Sequence, residues 1–227
     1  MHLKNWSTAT ALIVIGGMAL AHGDAAPQPV DTEGLPDVGE EWLIENPYRA
    51  DKVGEETWAK AIEIGDSGYN QNCARCHGLG AVSGGLAPDL RYLEAEEYGD
   101  EWFVERFRHG YTQNGTTKMP AFGELLGQKA AWAIRTYIET RPDDGALDEH
   151  SDRLKEIRDD LDAMSDASGD IEALRAELSK IAQEVETASG APVADSAAMR
   201  AAILLQGDTP RPSAAAEQLT IGLSAAQ

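Results

Sequence analysis

Cysteine occurs only twice in the 227 residues, and both copies stand in the run Cys73-Ala74-Arg75-Cys76-His77. That economy restricts what the chain can build. A disulfide at this spacing would close a very short loop and constrain little of the unfolded chain, so stapling explains the pair poorly. A structural zinc site needs four ligands of this kind, and no second Cys or His pair stands at suitable spacing. A thioredoxin-like redox pair would require alternating strands and helices around it.

The remaining chemistry is attachment of a c-type haem. Two thiols at this spacing can add across the two vinyl groups of a porphyrin while the adjacent imidazole binds iron. Cys73, Cys76 and His77 are thus the candidate binding residues, with one haem c for the chain. A thioether as second axial ligand favours reduced iron, and Met119 is the candidate for it. It follows Asn114-Gly115 and precedes Pro120, which biases it toward extended backbone. His109, beside Gly110, is the rival ligand, and an open axial position is the third reading. Met164 and Met199 stand at helical core spacing in an acidic extension, and His22 and His150 read as exposed and incidental.

The patterning around this run predicts an all-α domain. Trp58, Ala61, Ile62, Gly65 and Tyr69 recur at spacings of three and four, giving a helix from Thr57 to Cys73. A glycine-dense loop follows His77. A second helix is expected over Glu101–His109, then a long loop through Asn114-Gly115 to Met119-Pro120, and a last helix over Gln128–Thr140. No strand pair is expected. Long loops in a compact domain need a surface to pack on, and a large flat cofactor supplies one.

Around this domain at 61–142 the chain divides into four further segments. Residues 1–21 read as a signal peptide cleaved near Ala21, which implies export to the periplasm and no stable membrane insertion. Residues 22–60, rich in Pro, Gly and acid, read as an irregular arm whose Trp42 and Tyr48 pack on the next segment. Residues 143–207 read as an acidic helical extension. Within it Leu154, Ile157, Leu161, Leu174, Leu178 and Ile181 suggest a helical hairpin or jointed coiled coil about Ser168-Gly169-Asp170. Oligomerisation through 147–188 and a solvated spacer are both open readings. Residues 208–227, with Pro210 and Pro212, read as a disordered tail.

The formal charge is −20, which argues against nucleic acid as a partner. The acid is uneven: residues 61–142 carry 8 basic and 11 acidic groups, whereas residues 143–227 carry 7 and 18. Such a chain is steered toward basic surfaces, although solubility alone would also account for the excess.

Several motifs carry a resemblance. Gly65-x-x-x-Tyr69-x-x-x-Cys73, Pro88 eleven residues after His77, Met119-Pro120 and Ile134-x-x-Tyr137 together resemble the class I cytochrome c fold over about residues 61–141. The resemblance implies that the first and last helices cross at Gly65 and Tyr69 against Ile134 and Tyr137. It also implies that the Pro88 carbonyl meets the second ring nitrogen of His77. Tyr69-Asn-Gln-Asn-Cys-Ala-Arg-Cys-His-Gly, Ala87-Pro-Asp-Leu-Arg-Tyr-Leu, Gly99-Asp-Glu-Trp-Phe and the arm from Gly39 to Arg49 are similar to the PedF-type and XoxG-type cytochromes. Those proteins accept electrons from pyrroloquinoline-quinone (quinoprotein) alcohol dehydrogenases. The implied role is a one-electron carrier and not an enzyme, with such a dehydrogenase as donor and a respiratory cytochrome or terminal oxidase as acceptor. A general donor to an oxidase or peroxidase, and a haem enzyme or ligand sensor with an open iron site, are the alternatives. The extension beyond Asp143 departs from this pattern.

Overall fold

The computed structural model describes residues 27–164 and 170–225. The segment read as a signal peptide, His22 and the Ser168-Gly169 break lie outside them. Residues 27–49 form no helix or strand, yet they are held firmly. Tyr48 is fully buried and its hydroxyl donates to the Pro36 carbonyl at 2.9 Å, while the Trp42 ring lies 6.3 Å from that of Phe107. The side chain of Gln128 closes the arm from the other side, donating to the Gly39 and Glu41 carbonyls and accepting from the Leu43 N–H.

The first helix, α1, runs over Ala50–Asn72 and so begins inside the segment read as arm. Gly54, at φ 79° and ψ 162°, joins a short opening turn to the main helix. A sequence reading takes that glycine as loop, since the turn before it is too short to show periodicity. α2, Ala74–His77, is a single turn carrying the motif, and α3, Glu97–His109, begins four residues before the expected start. α4 spans Gly123–Glu139 with a similar break at Gly127.

α1 and α4 cross in very close contact. A Cβ at Gly65 would stand 2.0 Å from the Ala133 carbonyl oxygen and 2.8 Å from the Tyr137 Cβ, so only glycine allows the approach. Gly68 packs on Ile134 one turn later, and the Tyr69 and Tyr137 rings meet with centroids 5.3 Å apart. The glycine and aromatic pairing inferred from the resemblance is therefore the crossing seen here. Phe103, Val104 and Phe107 of α3 and Trp132 and Ile138 of α4 complete this core.

The expected loop from Gly110 to Met119 is in fact a hairpin. β1, Tyr111–Gln113, pairs antiparallel with β2, Thr116–Met119. Asn114 and Gly115 have φ values of 51° and 74°, and that geometry matches the right-handed twist of the strands they join. The strands are almost wholly exposed, so they carry no apolar alternation to betray them.

Beyond Asp143 the chain forms a second helical unit of α5, Ser151–Ala163, α6, Ile171–Glu184, α7, Ala197–Leu204, and α8, Pro212–Ala225. The expected disordered tail is thus largely helix. Pro212 occupies the first helical position, where its missing N–H costs nothing, and Ala215, Ala216, Leu219 and Leu223 are buried. α8 packs on α5 and α7, and α7 on α6, so the hairpin or coiled coil of α5 with α6 gives way to a bundle. Leu154, Ile157, Leu161 and Leu178, the stripe that suggested oligomerisation, are consumed inside the chain.

The bundle docks on the first unit through residues 186–195. The Asp143 N–H donates to the Glu186 carbonyl at 3.0 Å, the Ala95 N–H to the Ser189 carbonyl at 2.8 Å, and the Ala194 N–H to the Thr140 carbonyl at 3.3 Å. Arg141 adds an ion pair with Asp195 at 3.0 Å. Replacing Gly65 by Val is expected to drive α1 and α4 apart and cost about 3 kcal/mol, readable as a lowered denaturation midpoint.

Candidate functional site

The close crossing fixes where α1 ends, and α1 ends in the motif. The Cys73 N–H donates to the Tyr69 carbonyl at 2.8 Å, and the N–H groups of Cys76 and His77 return to the Cys73 carbonyl at 3.1 and 3.0 Å. One helical turn therefore carries both sulfurs and the imidazole. The thiols are free of one another: Cys73 is half-buried and Cys76 exposed. Burial, helped by neighbouring Cys76, pushes the Cys73 thiol up to about 12, so it stays protonated.

His77 is buried, and its Nδ1 lies 2.8 Å from the Pro88 carbonyl oxygen. A carbonyl can only accept, so Nδ1 donates its proton to it, and in the neutral ring Nε2 is then the nitrogen that carries the lone pair. That is the tautomer and the orientation a metal-binding imidazole needs. The chain leaving His77 is shaped by Gly78, at φ 85°, where a Cβ would fall 1.8 Å from the Val82 carbonyl oxygen. Tyr69 donates its hydroxyl to the Gly78 carbonyl at 2.8 Å, and burial raises that phenol well above its ordinary value.

The loop that brings Pro88 to His77 is cinched by side chains that sequence reasoning missed. Asp89 accepts from the Ser83 N–H at 3.1 Å and from the Arg91 N–H at 3.0 Å, and Ser83 donates its hydroxyl to the Ala87 carbonyl. Arg91 grips Asp89 from Nε at 3.1 Å and from Nη2 at 2.8 Å. The available signal was the run Ala87-Pro-Asp-Leu-Arg-Tyr-Leu, which holds both Asp89 and Arg91 two residues apart but gives neither a role.

Met119 ends β2 and is partly buried on the same core cluster that takes Cys73 and Ala74. Its rival His109 is 57% exposed at the end of α3, with Nε2 3.7 Å from Glu105. Met164 and Met199 pack in the second unit, and His150 faces Glu184 at 3.5 Å. Leu79 and Leu86 are 78% and 77% exposed, with Val82 between them also exposed. These groups have the chemistry a flat apolar ring requires: two thiols not joined to one another, an imidazole oriented by Pro88, a half-buried thioether on the same core cluster as Cys73, and exposed apolar side chains on the loop after the motif for it to cover.

Burial works against the charge on Asp89, but the Arg91 guanidinium and the two backbone N–H groups hold its carboxyl below the usual carboxylate range. A depressed folded value means that the unfolded chain takes up the proton first. Asp89 therefore adds stability above its unfolded value of about 4, and that contribution fades as pH falls through the folded value. Denaturation midpoints measured through this acid range are expected to fall for the parent, and to fall less steeply for Asp89→Asn.

The family model described as cytochrome C oxidase, cbb3-type, subunit III matches residues 60–138. Cytochrome c550 of Pseudomonas aeruginosa is 51% identical over 134 residues, covering 57% of this chain and 90% of that protein. Two quinohemoprotein alcohol dehydrogenases of Pseudomonas putida, ADH-IIG and ADH IIB, are 33% and 30% identical over 97 residues. The chain spans only 12% and 14% of their lengths, and 43% and 42% of its own. No solved structure matches significantly. The near-complete coverage of cytochrome c550 and the crossing of α1 with α4 above a Cys-x-x-Cys-His turn lead to one conclusion: the chain belongs to the class I c-type cytochromes, electron carriers that bind haem c.

Proposed function

We propose that this cytochrome carries one electron at a time on a single haem c, joined by thioether links to Cys73 and Cys76, with His77 and Met119 as its axial ligands. We further assign it to the periplasm after cleavage near Ala21, taking electrons from a quinoprotein alcohol dehydrogenase and passing them to a respiratory cytochrome or terminal oxidase. When bound, haem c supplies the one-electron couple of its iron. The observation that carries the reading is the single turn holding both free thiols and an imidazole whose Nδ1 proton is committed to Pro88.

Each residue has a task that follows from its surroundings. Every thiol adds its S–H across a vinyl C=C, sulfur to one carbon and hydrogen to the other, so attachment consumes no oxidant. His77 offers Nε2 while Pro88 keeps the ring from turning. Met119, delivered by a hairpin anchored at Gly110, offers a neutral thioether. Gly110 is required there, since a Cβ would meet the Met119 carbonyl oxygen at 2.4 Å.

The donor assignment draws on two supports. Segments similar to this chain occur within alcohol dehydrogenases named as quinohemoproteins, and the arm from Gly39 to Arg49 resembles that of cytochromes serving such enzymes. The described helices include none long and apolar enough to cross a membrane, so they offer no anchor of that kind.

Protein matured in a haem-loading host is expected to keep its colour through acid extraction, and the Cys73→Ser, Cys76→Ser double variant to lose it. The oxidised parent should show the weak far-red band of methionine–iron ligation, absent in Met119→Ala, whose ferrous form should take up carbon monoxide. Mixed with a quinoprotein alcohol dehydrogenase and its alcohol, the parent should be reduced. Persistence of the oxidised form would remove that donor and leave the cytochrome standing.

A further inference from the structure

The loop carrying Pro88 does not end its contacts at Asp89. Arg91, only 4% exposed, also donates from Nη2 to Asp144 at 2.7 Å and from Nη1 to the Pro142 carbonyl at 3.1 Å. Asp144 itself is 64% exposed and stands where the chain enters the second helical unit. The adjoining Asp143 N–H is bonded to Glu186, and Pro142 pairs with Thr187, so this junction is part of the docked strap. An unbroken path of contacts therefore runs from the imidazole of His77 through Pro88, Asp89 and Arg91 to the C-terminal helices.

We propose that Arg91 is a positioning residue that couples the docked C-terminal unit to His77 through the Pro88 carbonyl. The planar fork of Arg91 has donors enough to hold Asp89, Asp144 and Pro142 at once. With Asp89 fixed, the preceding Pro88 carbonyl stays on Nδ1. A strong Nδ1–H···O=C bond leaves His77 more electron-rich, and an electron-rich ligand favours oxidised iron. Loosening the fork lets the carbonyl drift, weakens that bond and favours the reduced form. The second unit thereby helps to set the redox balance of a site it does not touch. This inference rests on His77 being the axial ligand, as proposed above.

The test compares haem-loaded full-length variants by redox titration. Arg91→Lys keeps the charge but cannot fork, and Asp144→Asn leaves Arg91 Nη2 only a weaker, neutral amide oxygen to donate to, at an exposed position. Asp143→Asn is the control, since it deletes an equal charge one residue away while its amide oxygen can still accept the Asp144 N–H that Asp143 Oδ1 accepts at 2.7 Å. At a fixed poise, the oxidised-to-reduced ratio should fall about threefold or more in Arg91→Lys and Asp144→Asn, the scale of one weakened hydrogen bond. In Asp143→Asn it should fall clearly less. The ring Nδ1 proton of His77 should also exchange with solvent faster in the first two variants. Ratios and exchange equal to the parent, or a control that moves as far as Asp144→Asn, would overturn the coupling. Failure of the underlying reading looks different: the parent itself would carry no covalent haem, and Asp144→Asn decides the matter should Arg91→Lys fold badly.

Discussion

The backbone contact of Gly65 with Ala133 governs the geometry of everything downstream. Helices whose axes approach this closely exclude any side chain at the crossing point, and the register of one helix on the other is thereby set. Tyr69, one turn further along α1, then has a single place to go, against Tyr137, with its hydroxyl on the Gly78 carbonyl. Cys73, Cys76 and His77 follow within the next two turns. Their positions are therefore inherited from a contact between elements far apart in sequence, not from the motif itself.

Opposite that crossing, the first unit buries a compact set of charges. Asp100 and Arg135 are fully buried and paired at 2.9 Å, and Arg49 spans Asp100 and Glu139 at 2.8 Å each. Arg135 also donates to the Leu93 and Glu94 carbonyls, while Asn46 bonds Asp100, Thr136 and Glu139. Burial raises the Glu139 carboxyl even though Arg49 and Arg135 pull it down. Buried ion pairs of this type add little net stability, because desolvation offsets most of their attraction. Losing one partner, however, strands a charge in a dry place. The set thus acts as a latch that accepts only one arrangement of the arm, α3 and α4.

Local signals made part of this legible in the sequence. Cys73, Cys76 and His77 are adjacent, Gly65 and Tyr69 lie on one helical face, and the resemblance brought Pro88 to His77; each fact survives without knowledge of distant contacts. The hairpin did not show, because its strands are exposed and short, although Asn114-Gly115 is the dipeptide such a turn favours. α8 did not show either, since its buried face is only two alanines and two leucines and its leading proline reads equally well as a breaker. The Asp100–Arg135 and Arg49–Glu139 pairs of the latch and the Arg91–Asp144 arm of the fork join charged residues far apart in sequence, whose ordinary reading is a solvated surface. Such pairings exist only once the fold has brought their members together.

The alanine-rich core of the second unit bears on why its junction is built so firmly. Ala197, Ala198, Ala201, Ala202, Ala215 and Ala216 let α7 and α8 approach closely, and a Cβ at Gly222 would come within 2.2 Å of the Ala197 Cβ. Each buried alanine, however, removes far less apolar area from water than a leucine, roughly one CH₂-sized increment against several. The buried leucines and isoleucines of α5, α6 and α8 make up the larger share of that burial, and further contacts tie the unit to the first one. The strap supplies them: backbone pairs at Asp143, Thr140 and Ala95, the Arg141–Asp195 ion pair, and Arg91 buried at the seam. A seam that helps to hold up one unit and also grips the loop behind His77 cannot be altered from one side only. Stability of the extension and geometry of the motif are consequently tied through the same few side chains.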